Sequence, residues 1–396
     1  MNRRNRIIGS CSKTRRRRRR WATTDANLKT VTCPGKRSDT LLRACYLPYI
    51  IVVDIFPLNI YYLAGEQLSM KPLSKTKAGL RNPSKVLPYL RQKAIQPLRG
   101  AAAMKETAGN PSQKALLDDL REHDSWLLIV LDACRYPEFS ELAPAVFEGD
   151  LEKMTTEGHN TFEYVRSCWP ESYPDVTYLS GAPAVNSGGL EIDDEALAEK
   201  YDGFVAADHI GQIVDVWQSG WDEHLGVIPP WNVTPMVKDY LDENQLVVHY
   251  IQPHAPYVGV ERELGHHNDE SATPGDGEPI DAPLWRRIKR GEVAESRLAE
   301  LYRSNLEAVL YEVAKIVEEA PHDTVVITGD HGEALGEYWT YAHPPKDHPY
   351  ILTAPWMEVT GVEADWRSRL TVPDVDQSTA TEDSSVAARL RELGYK

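Results

Sequence analysis

Short apolar runs alternate with segments of helical periodicity from Trp126 onward, and this alternation constrains the fold more than any other feature of the chain. The run WLLIVL, Trp126 to Leu131, is continuously apolar, as expected of a strand that is buried on both faces. Residues 296–320 instead repeat Leu and Val at helical spacing, which predicts a long amphipathic helix. Strands that alternate with helices predict an α/β fold with a mostly parallel central sheet covered by helices on both faces.

Further strands are predicted in the segments DVTYLSGAP, QLVVHYI, DTVVITG and APWMEVTG, and a short helix is predicted to begin at Thr161. A terminal helix is expected over residues 384–396. Residues 261–283 are polar and rich in Gly, Pro, Asp and Glu, which predicts a mobile acidic surface loop. Because this loop directly follows a His-rich segment, we expect it to cover a site.

Three of the predicted strands end in ionisable residues: Asp132, the segment from His249 to His254, and the pair Asp330 and His331. Each of them alone is compatible with an ordinary turn or helix cap. Ligands of parallel sheets bind at the carboxyl ends of the strands, where all three lie. Carboxylates and imidazoles that are buried together are costly unless a cation compensates their charge, so their convergence favours a metal site.

Charge is divided unevenly along the 396 residues. Residues 1–100 carry 22 Lys and Arg and 4 Asp and Glu, which leaves 22 basic and 55 acidic residues, a net charge of −33, for residues 101–396. Such an acidic body argues against nucleic acid as its partner. It is typical of proteins from salt-loving archaea, although a mesophilic acidic protein has the same kind of composition.

Residues 1–103 are interpreted as a basic, poorly ordered N-terminal arm that includes a run of six arginines. Within it, the stretch 41–65 is apolar and about long enough to span a bilayer, but two prolines and an aspartate interrupt it. Two interpretations stay open: a membrane-associated stretch, or an arm that results from a mis-assigned start, with Met70 or Met104 as the true first residue. The catalytic body is expected to occupy residues 104–396.

The five cysteines include no C-x-x-C pair, and their odd number argues against a complete disulfide framework. This cysteine usage fits a reducing interior. We therefore expect a cytoplasmic protein, which is membrane-associated only if the stretch 41–65 is a true membrane segment.

Five segments occur in an order that resembles the alkaline phosphatase/sulfatase superfamily. They are VLDACRYPEF, GHNTFEYV, HYIQPHAPYVG, VVITGDHGEALGE and YAHPPKDHPYILTAPWMEV. The resemblance covers residues 124–396 and is strongest toward the sulfatase-like proteins of halophilic archaea. The segments TGDHGE and PHAPY are fairly specific for the superfamily, but neither is specific for a substrate.

The resemblance implies a role for each matching residue. Asp132 matches the first metal-binding carboxylate, and Asp330 and His331 match the metal-binding pair after the late strand. His254, in PHAPY, matches a histidine that contacts the substrate or a second metal. His343, in YAHPP, matches the late histidine of the same site and is counted among the metal ligands and the substrate-binding residues.

In this superfamily the nucleophile is a Ser, a Thr or a modified Cys on the metal, at a helix N-terminus where free N–H groups favour anions. Thr161 matches this nucleophile and is expected to contact the metal, although a plain helix N-cap would also occupy its position. Cys168 is the alternative, because CWPES is similar to the sulfatase signature Cys-x-Pro-x-Arg. Ser172 replaces the arginine of that signature, so the match is incomplete.

The resemblance implies a metal-dependent hydrolase of sulfate or phosphate esters, with His254 in a catalytic role and Arg135 in substrate binding. A divalent ion would polarise the ester and lower the pKa of the nucleophile. Mixed Asp and His ligands suit Zn²⁺ or Mn²⁺ and oxygen-rich sites suit Mg²⁺ or Ca²⁺, so the identity of the metal stays open. Two alternatives remain: a head-group transferase of the same fold acting on phosphate-linked lipids or glycans, and a non-catalytic binding relative.

Overall fold

A computed structural model of the chain describes residues 43–47, 50–55, 58–63, 83–188, 204–222, 225–260 and 284–373. The chain divides into two compact units, Met1–Leu87 and Pro88–Lys396. In the first unit, strands within the apolar stretch 41–65 form an antiparallel sheet in the order β1–β2–β3, with the bounds Arg43–Leu47, Ile50–Ile55 and Leu58–Leu63. Among the described residues, no helix combines the length and the apolar character needed to cross a membrane.

The remaining described strands are β4 (Trp126–Leu131), β5 (Phe147–Thr155), β6 (Tyr173–Ser180), β7 (Ile210–Val214), β8 (Gln245–Tyr250), β9 (Thr324–Gly329), β10 (Ala334–Leu335), β11 (Tyr341–Ala342) and β12 (Thr353–Val362). The described helices are α1 (Pro83–Thr107), α2 (Gln113–Leu120), α3 (Tyr136–Leu142), α4 (Thr161–Cys168), α5 (Val216–Gly220), α6 (Pro230–Val237), α7 (Leu284–Lys289) and α8 (Glu295–Val317).

Seven strands form the central sheet, in the order β5–β12–β9–β4–β8–β6–β7. The pairs β9–β4, β4–β8, β8–β6 and β6–β7 are parallel, whereas β12 is antiparallel to both of its neighbours. The sheet is therefore mostly parallel, as the alternation of strands and helices predicts, and the α/β class is confirmed.

The central strand β4 is buried on both faces, which explains its uninterrupted apolar sequence. Alternate side chains point to opposite faces of a strand. Leu127, Ile129 and Leu131 accordingly join the core cluster that contains residues of α6 and α8. Trp126, Leu128 and Val130 join the cluster on the other face, which contains residues of α2 and α4. The side chains of one strand thus hold two helical layers against the sheet.

Two strands of the sheet have no counterpart in the sequence prediction. β5 forms one edge of the sheet, and its sequence FEGDLEKMT contains four charged residues, so the apolar pattern of a buried strand is absent. β7 forms the opposite edge, carries no charge and exposes the side chain of Gln212. The charges of β5 help an edge strand to resist pairing with other chains. The predicted loop 261–283 and terminal helix 384–396 lie outside the described residues.

Candidate active site

The carboxyl ends of three adjacent strands meet at the centre of the sheet. Leu131 of β4 pairs with Tyr250 of β8 on one side and with Gly329 of β9 on the other. Asp132 and Asp330 therefore each follow directly after paired positions on adjoining strands. Both side chains are fully buried. The parallel register brings together two acidic residues that lie almost two hundred positions apart in the sequence.

Asp330 is held in place by three hydrogen-bond donors. Its Oδ1 accepts hydrogen bonds from the backbone N–H groups of Ala133 (3.0 Å) and His331 (2.8 Å). Its Oδ2 accepts a hydrogen bond from the hydroxyl of Thr161 (2.8 Å). Ala133 has a left-handed backbone conformation with a φ of 58°, which is uncommon for alanine and typical of functional sites.

Thr161 is the first residue of α4, and Asn160 is the N-cap of that helix. The side chain of Asn160 accepts a hydrogen bond from the N–H of Glu163 at 3.0 Å, which is the usual capping contact. The Thr161 hydroxyl is therefore not the cap and contacts Asp330 instead. Its side chain is fully buried, so the structure places a hydroxyl group at a helix N-terminus within the acidic cluster.

Three donor atoms from three strand ends form a first group of metal-ligand type. It consists of Asp132, His249 and Asp330, whose ligand atoms all lie within 4.8 Å of one another. His331 adjoins this group, because its Nε2 lies 3.4 Å from Asp132 Oδ1 and 3.5 Å from Asp330 Oδ2. The other ring nitrogen of His331, Nδ1, lies 2.8 Å from the carbonyl oxygen of Gly332, which fixes the ring.

The first group favours positive charge at its centre. Burial alone lowers the pKa of His331, but the carboxylates of Asp330 and Asp132 outweigh burial and raise that pKa to about 9. For Asp132 the signs are reversed. Burial raises its pKa, but the positive charge of His254 and His331 outweighs burial and holds the pKa below its usual range. The raised pKa means that His331 holds a proton beside the two carboxylates, and a divalent cation would replace that positive charge.

A second group lies next to the first and consists of His254, Glu333 and His343, whose ligand atoms also lie within 4.8 Å of one another. Nδ1 of His343 is 3.4 Å from Oε2 of Glu333. The ring of His343 is 4.5 Å from that of His331 and 5.2 Å from that of His254, measured between ring centroids. His331 therefore links the two groups.

The donor set of the two groups fits divalent metal. Carboxylate oxygens, imidazole nitrogens and the Thr161 hydroxyl are the ligand types that Zn²⁺ and Mn²⁺ accept. The Nε2 atom of His249 is buried and has no hydrogen-bond partner among the residues that the structure describes. Buried nitrogens are normally satisfied, so an unpaired one on a ring with a nitrogen within 4.8 Å of both carboxylates is consistent with metal ligation.

His249 and Glu333 belong to these groups but are absent from the site residues that the sequence predicts. Glu333 lies in the TGDHGE segment, only three positions after Asp330, and its place in that segment was the available signal. His249 is the penultimate residue of β8. The sequence marks it as the start of the ionisable segment from His249 to His254, but the resemblance assigns no role to it.

Arg135 is engaged by side chains of the protein rather than by the two groups. Its guanidinium contacts Glu138 through Nε at 2.7 Å and Glu337 through Nη2 at 2.8 Å, and its Cζ lies 4.7 Å from the ring centroid of Tyr350. Only 4% of its side chain is exposed. These contacts fix Arg135 between α3 and the segment that follows β10, and its substrate-binding role stays a prediction.

Cys168 is not brought to the site. It is the last residue of α4, at the opposite end of that helix from Thr161, and its side chain is fully buried in the core cluster beside α2. Burial raises the pKa of its thiol well above the usual range, which disfavours the thiolate. The physical environment is that of a core residue, and it does not support the alternative nucleophile.

No family model matches the sequence, and no curated protein matches it. Solved structures that are similar to this chain include phosphoethanolamine transferases, sulfatases and a phosphonate monoester hydrolase. The integral membrane lipooligosaccharide phosphoethanolamine transferase A from Neisseria meningitidis is 15% identical with a TM-score of 0.38. That match covers 61% of this chain and 48% of the transferase, so the chain spans about half the length of that protein.

Two further solved structures are similar to this chain. The C-terminal periplasmic domain of EcEptC from Escherichia coli, in complex with Zn, is 12% identical with a TM-score of 0.35, and the match covers 62% of this chain and 75% of that one. The phosphonate monoester hydrolase of Agrobacterium radiobacter is 13% identical with a TM-score of 0.31. That match covers 59% of this chain and 68% of the hydrolase. At these identities the likeness is one of fold.

Proposed function

We propose that the protein is a metal-dependent hydrolase of phosphate or sulfate esters that uses Thr161 as its nucleophile. The observation that carries this proposal is the contact between the Thr161 hydroxyl and Asp330 Oδ2 at 2.8 Å, within a buried cluster of metal-ligand type. A hydroxyl that served only to cap a helix would contact backbone N–H groups of its own helix, and Asn160 already provides that contact.

Asp132, Asp330, His331 and Thr161 would hold a divalent ion, while His254 and His343 of the second group would exchange protons with the substrate. The bound metal would supply Lewis-acid polarisation of the ester and a lower pKa for the nucleophilic hydroxyl. The first-turn N–H groups of α4 lie beside the hydroxyl and stabilise the negative charge of the group being transferred.

The first step forms a covalent intermediate on Thr161. The hydroxyl proton is lost to bulk water, and Thr161 Oγ1 forms a bond to phosphorus or sulfur. The ester bond to the alcohol breaks, its electron pair stays on the alcohol oxygen, and a proton from the histidine pair His254 and His343 completes the departing alcohol.

The second step restores the enzyme. A water molecule attacks the phosphorus or sulfur atom and gives its proton to the same histidine pair. The bond to Thr161 Oγ1 breaks, and Thr161 regains its proton from bulk water. If an alcohol of a lipid or glycan replaces the water, the same intermediate leads to head-group transfer, so the acceptor decides between hydrolase and transferase.

The binding-relative alternative loses its main support. A non-catalytic binding relative would be favoured if Thr161 lay far from the metal ligands. The Thr161 hydroxyl instead contacts one of them, Asp330, directly. The kind of ester, the affinity with haloarchaeal sulfatase-like proteins, the cytoplasmic location and a membrane-associated role for residues 41–65 stay predictions.

The proposal is tested by elemental analysis of the purified full chain together with turnover of p-nitrophenyl phosphate, bis-p-nitrophenyl phosphate and p-nitrophenyl sulfate in high salt. We expect bound divalent metal and release of p-nitrophenol from at least one ester. Addition of glycerol separates the two reaction types, because a transferase would form a glycerol adduct in place of free phosphate or sulfate. A metal-bound protein that cleaves none of the three esters and forms no adduct would contradict the proposal.

A further inference from the structure

The buried histidine inside the central sheet has an arrangement that the proposed mechanism does not use. His249 lies near the end of β8, between β4 and β6, and is fully buried. One of its ring nitrogens lies within 4.8 Å of ligand oxygens of both Asp132 and Asp330. The chain thus places a neutral donor beside two acidic residues that are themselves fully buried.

The ring of His249 is oriented by a hydrogen-bonding contact with a tyrosine of the neighbouring strand. Its Nδ1 lies 2.8 Å from the phenol oxygen of Tyr178. Tyr178 is on the neighbouring strand β6 and is fully buried, with its ring held edge-on against Trp169 at a centroid distance of 6.0 Å. The phenol therefore has little freedom, and it sets the direction in which the opposite ring nitrogen points.

The opposite nitrogen, Nε2, is buried and has no hydrogen-bond partner among the residues that the structure describes. A histidine that binds metal usually engages its other ring nitrogen with a fixed partner, which selects the tautomer and the ring orientation. If Nδ1–H donates to the Tyr178 oxygen, Nε2 carries a lone pair directed toward the acidic cluster. Both features match the arrangement of a metal ligand with its supporting partner.

We infer that His249 is a further ligand of the metal in the first group and that Tyr178 is the positioning residue that orients it. This inference rests on the metal site of the proposed function but adds a donor and a supporting residue to it. The first group would then draw ligands from β4, β8, β9 and α4. Substitution of the phenol alone should weaken metal binding although Tyr178 never touches the ion.

The test measures the affinity of the full chain for Zn²⁺ by competition with a chromogenic chelator, and the absorption spectrum of the Co²⁺-loaded protein. We expect Tyr178→Phe to bind Zn²⁺ about 10-fold more weakly, and His249→Ala about 100-fold more weakly, by the usual effect of removing supporting partners and ligands. Both variants should change the intensity of the Co²⁺ bands, because the coordination number or geometry changes.

Tyr250→Phe is the matched control. Tyr250 follows His249 in the same strand, is equally buried and donates or accepts one hydrogen bond to Thr234 at 3.1 Å, but it faces the other side of the sheet. Its substitution should leave Zn²⁺ affinity and the Co²⁺ spectrum unchanged. Because Tyr178→Phe removes only one oxygen atom, circular dichroism is expected to show a native fold even if His249→Ala does not fold.

The outcomes separate this inference from the proposed function. If Tyr178→Phe and a folded His249→Ala bind Zn²⁺ like the wild type, while Asp330→Asn does not bind it, His249 is not a ligand and the metal site stands. If the wild type itself binds neither Zn²⁺ nor Co²⁺, the result contradicts the proposed metal-dependent function and, with it, the role of His249. Weaker binding in Tyr178→Phe with an unchanged Tyr250→Phe supports the inference.

Discussion

Asn160 caps α4, and this leaves the hydroxyl of Thr161 to Asp330. Because Asn160 caps the helix and Thr161 contacts Asp330, substitution of each residue tests one role at a time. We expect Thr161→Ala to lower kcat by at least about 10³-fold, because the nucleophile is lost, while Thr161→Ser keeps measurable turnover. Stability, measured by urea unfolding, should change little in either variant, because the capping contact remains.

Asn160→Ala is the converse control. Loss of the cap should cost about 1 kcal/mol of stability, since an N–H of the first turn loses its partner. Its turnover should fall much less than that of Thr161→Ala. Full activity in Thr161→Ala, or an inactive Cys168→Ala that still folds, would show that the nucleophile has been assigned wrongly.

Residues that end a strand or begin a helix could be found from the sequence, and residues inside an element could not. Asp132, Asp330 and His331 each follow an apolar run, and Thr161 opens a helix, so their positions make them candidates and the resemblance assigns their roles. His249 belongs to a marked segment, but only the tertiary structure brings its ring close to both carboxylates. One partner of Arg135, Glu337, lies 202 positions away, beyond the reach of any local pattern.

At the scale of elements, the short hairpin of β10 and β11 carries the residues that lead to His343. Tyr338 and Trp339, in its turn, have left-handed backbone conformations with φ values of 49° and 58°. Strained conformations persist only where the surroundings hold them. Glu337, in the same turn, accepts the hydrogen bond from Arg135 and one from the N–H of Leu335 at 2.9 Å, so the ion pair ties the turn to α3.

We therefore expect Glu337→Gln to affect both stability and turnover. Loss of the charged partner of a buried guanidinium should cost about 2 kcal/mol, and a looser turn should displace His343 and lower kcat. Chemical denaturation and steady-state kinetics measure the two effects. Glu138→Gln removes the other partner of Arg135 but lies on α3, so it should cost similar stability and leave kcat nearly unchanged. Equal losses of kcat in the two variants would refute a special role for the turn.

The parallel arrangement of β9, β4, β8 and β6 could be anticipated from alternating strands and helices, but the edge strands β5 and β7 could not. The sequence of β12 is apolar enough to be recognised as a strand, yet nothing local shows that it runs antiparallel between β9 and β5. Strand direction depends on the path of the connecting chain. β5 could not be recognised as a strand because its sequence carries the charged residues that are common in exposed edge strands.

For the whole molecule, the metal should contribute to stability through mass action. A ligand that binds only the folded state adds about 2.7 kcal/mol when its concentration is 100 times its Kd. We expect dialysis against EDTA to lower the melting temperature and Zn²⁺ or Mn²⁺ to restore it. Asp330→Asn should melt at a temperature that does not respond to metal. A wild type with a melting temperature insensitive to both treatments would contradict a metal site in the folded protein.

The net charge of −33 on residues 101–396 predicts a salt-dependent fold. Repulsion among carboxylates acts over about 10 Å at 0.1 M salt and only about 3 Å at 1 M, so molar KCl should relieve it. We expect the melting temperature to rise continuously from low salt to molar KCl. A flat curve would argue against a protein adapted to high salt and for an ordinary acidic protein.

The pairing of β4 with β9 has a consequence for how the chain is made. Leu131 and Gly329 are register partners, so β4 cannot complete that edge until the ribosome has added 198 further residues. At about 5–20 residues per second, this interval lasts on the order of 10–40 s. Throughout that interval at least one edge of β4 has no partner strand, and Asp132 lacks Asp330. A metal site that needs both carboxylates can therefore form only after Asp330 has been made, so metal binding follows the synthesis of the parallel strands and does not start their folding.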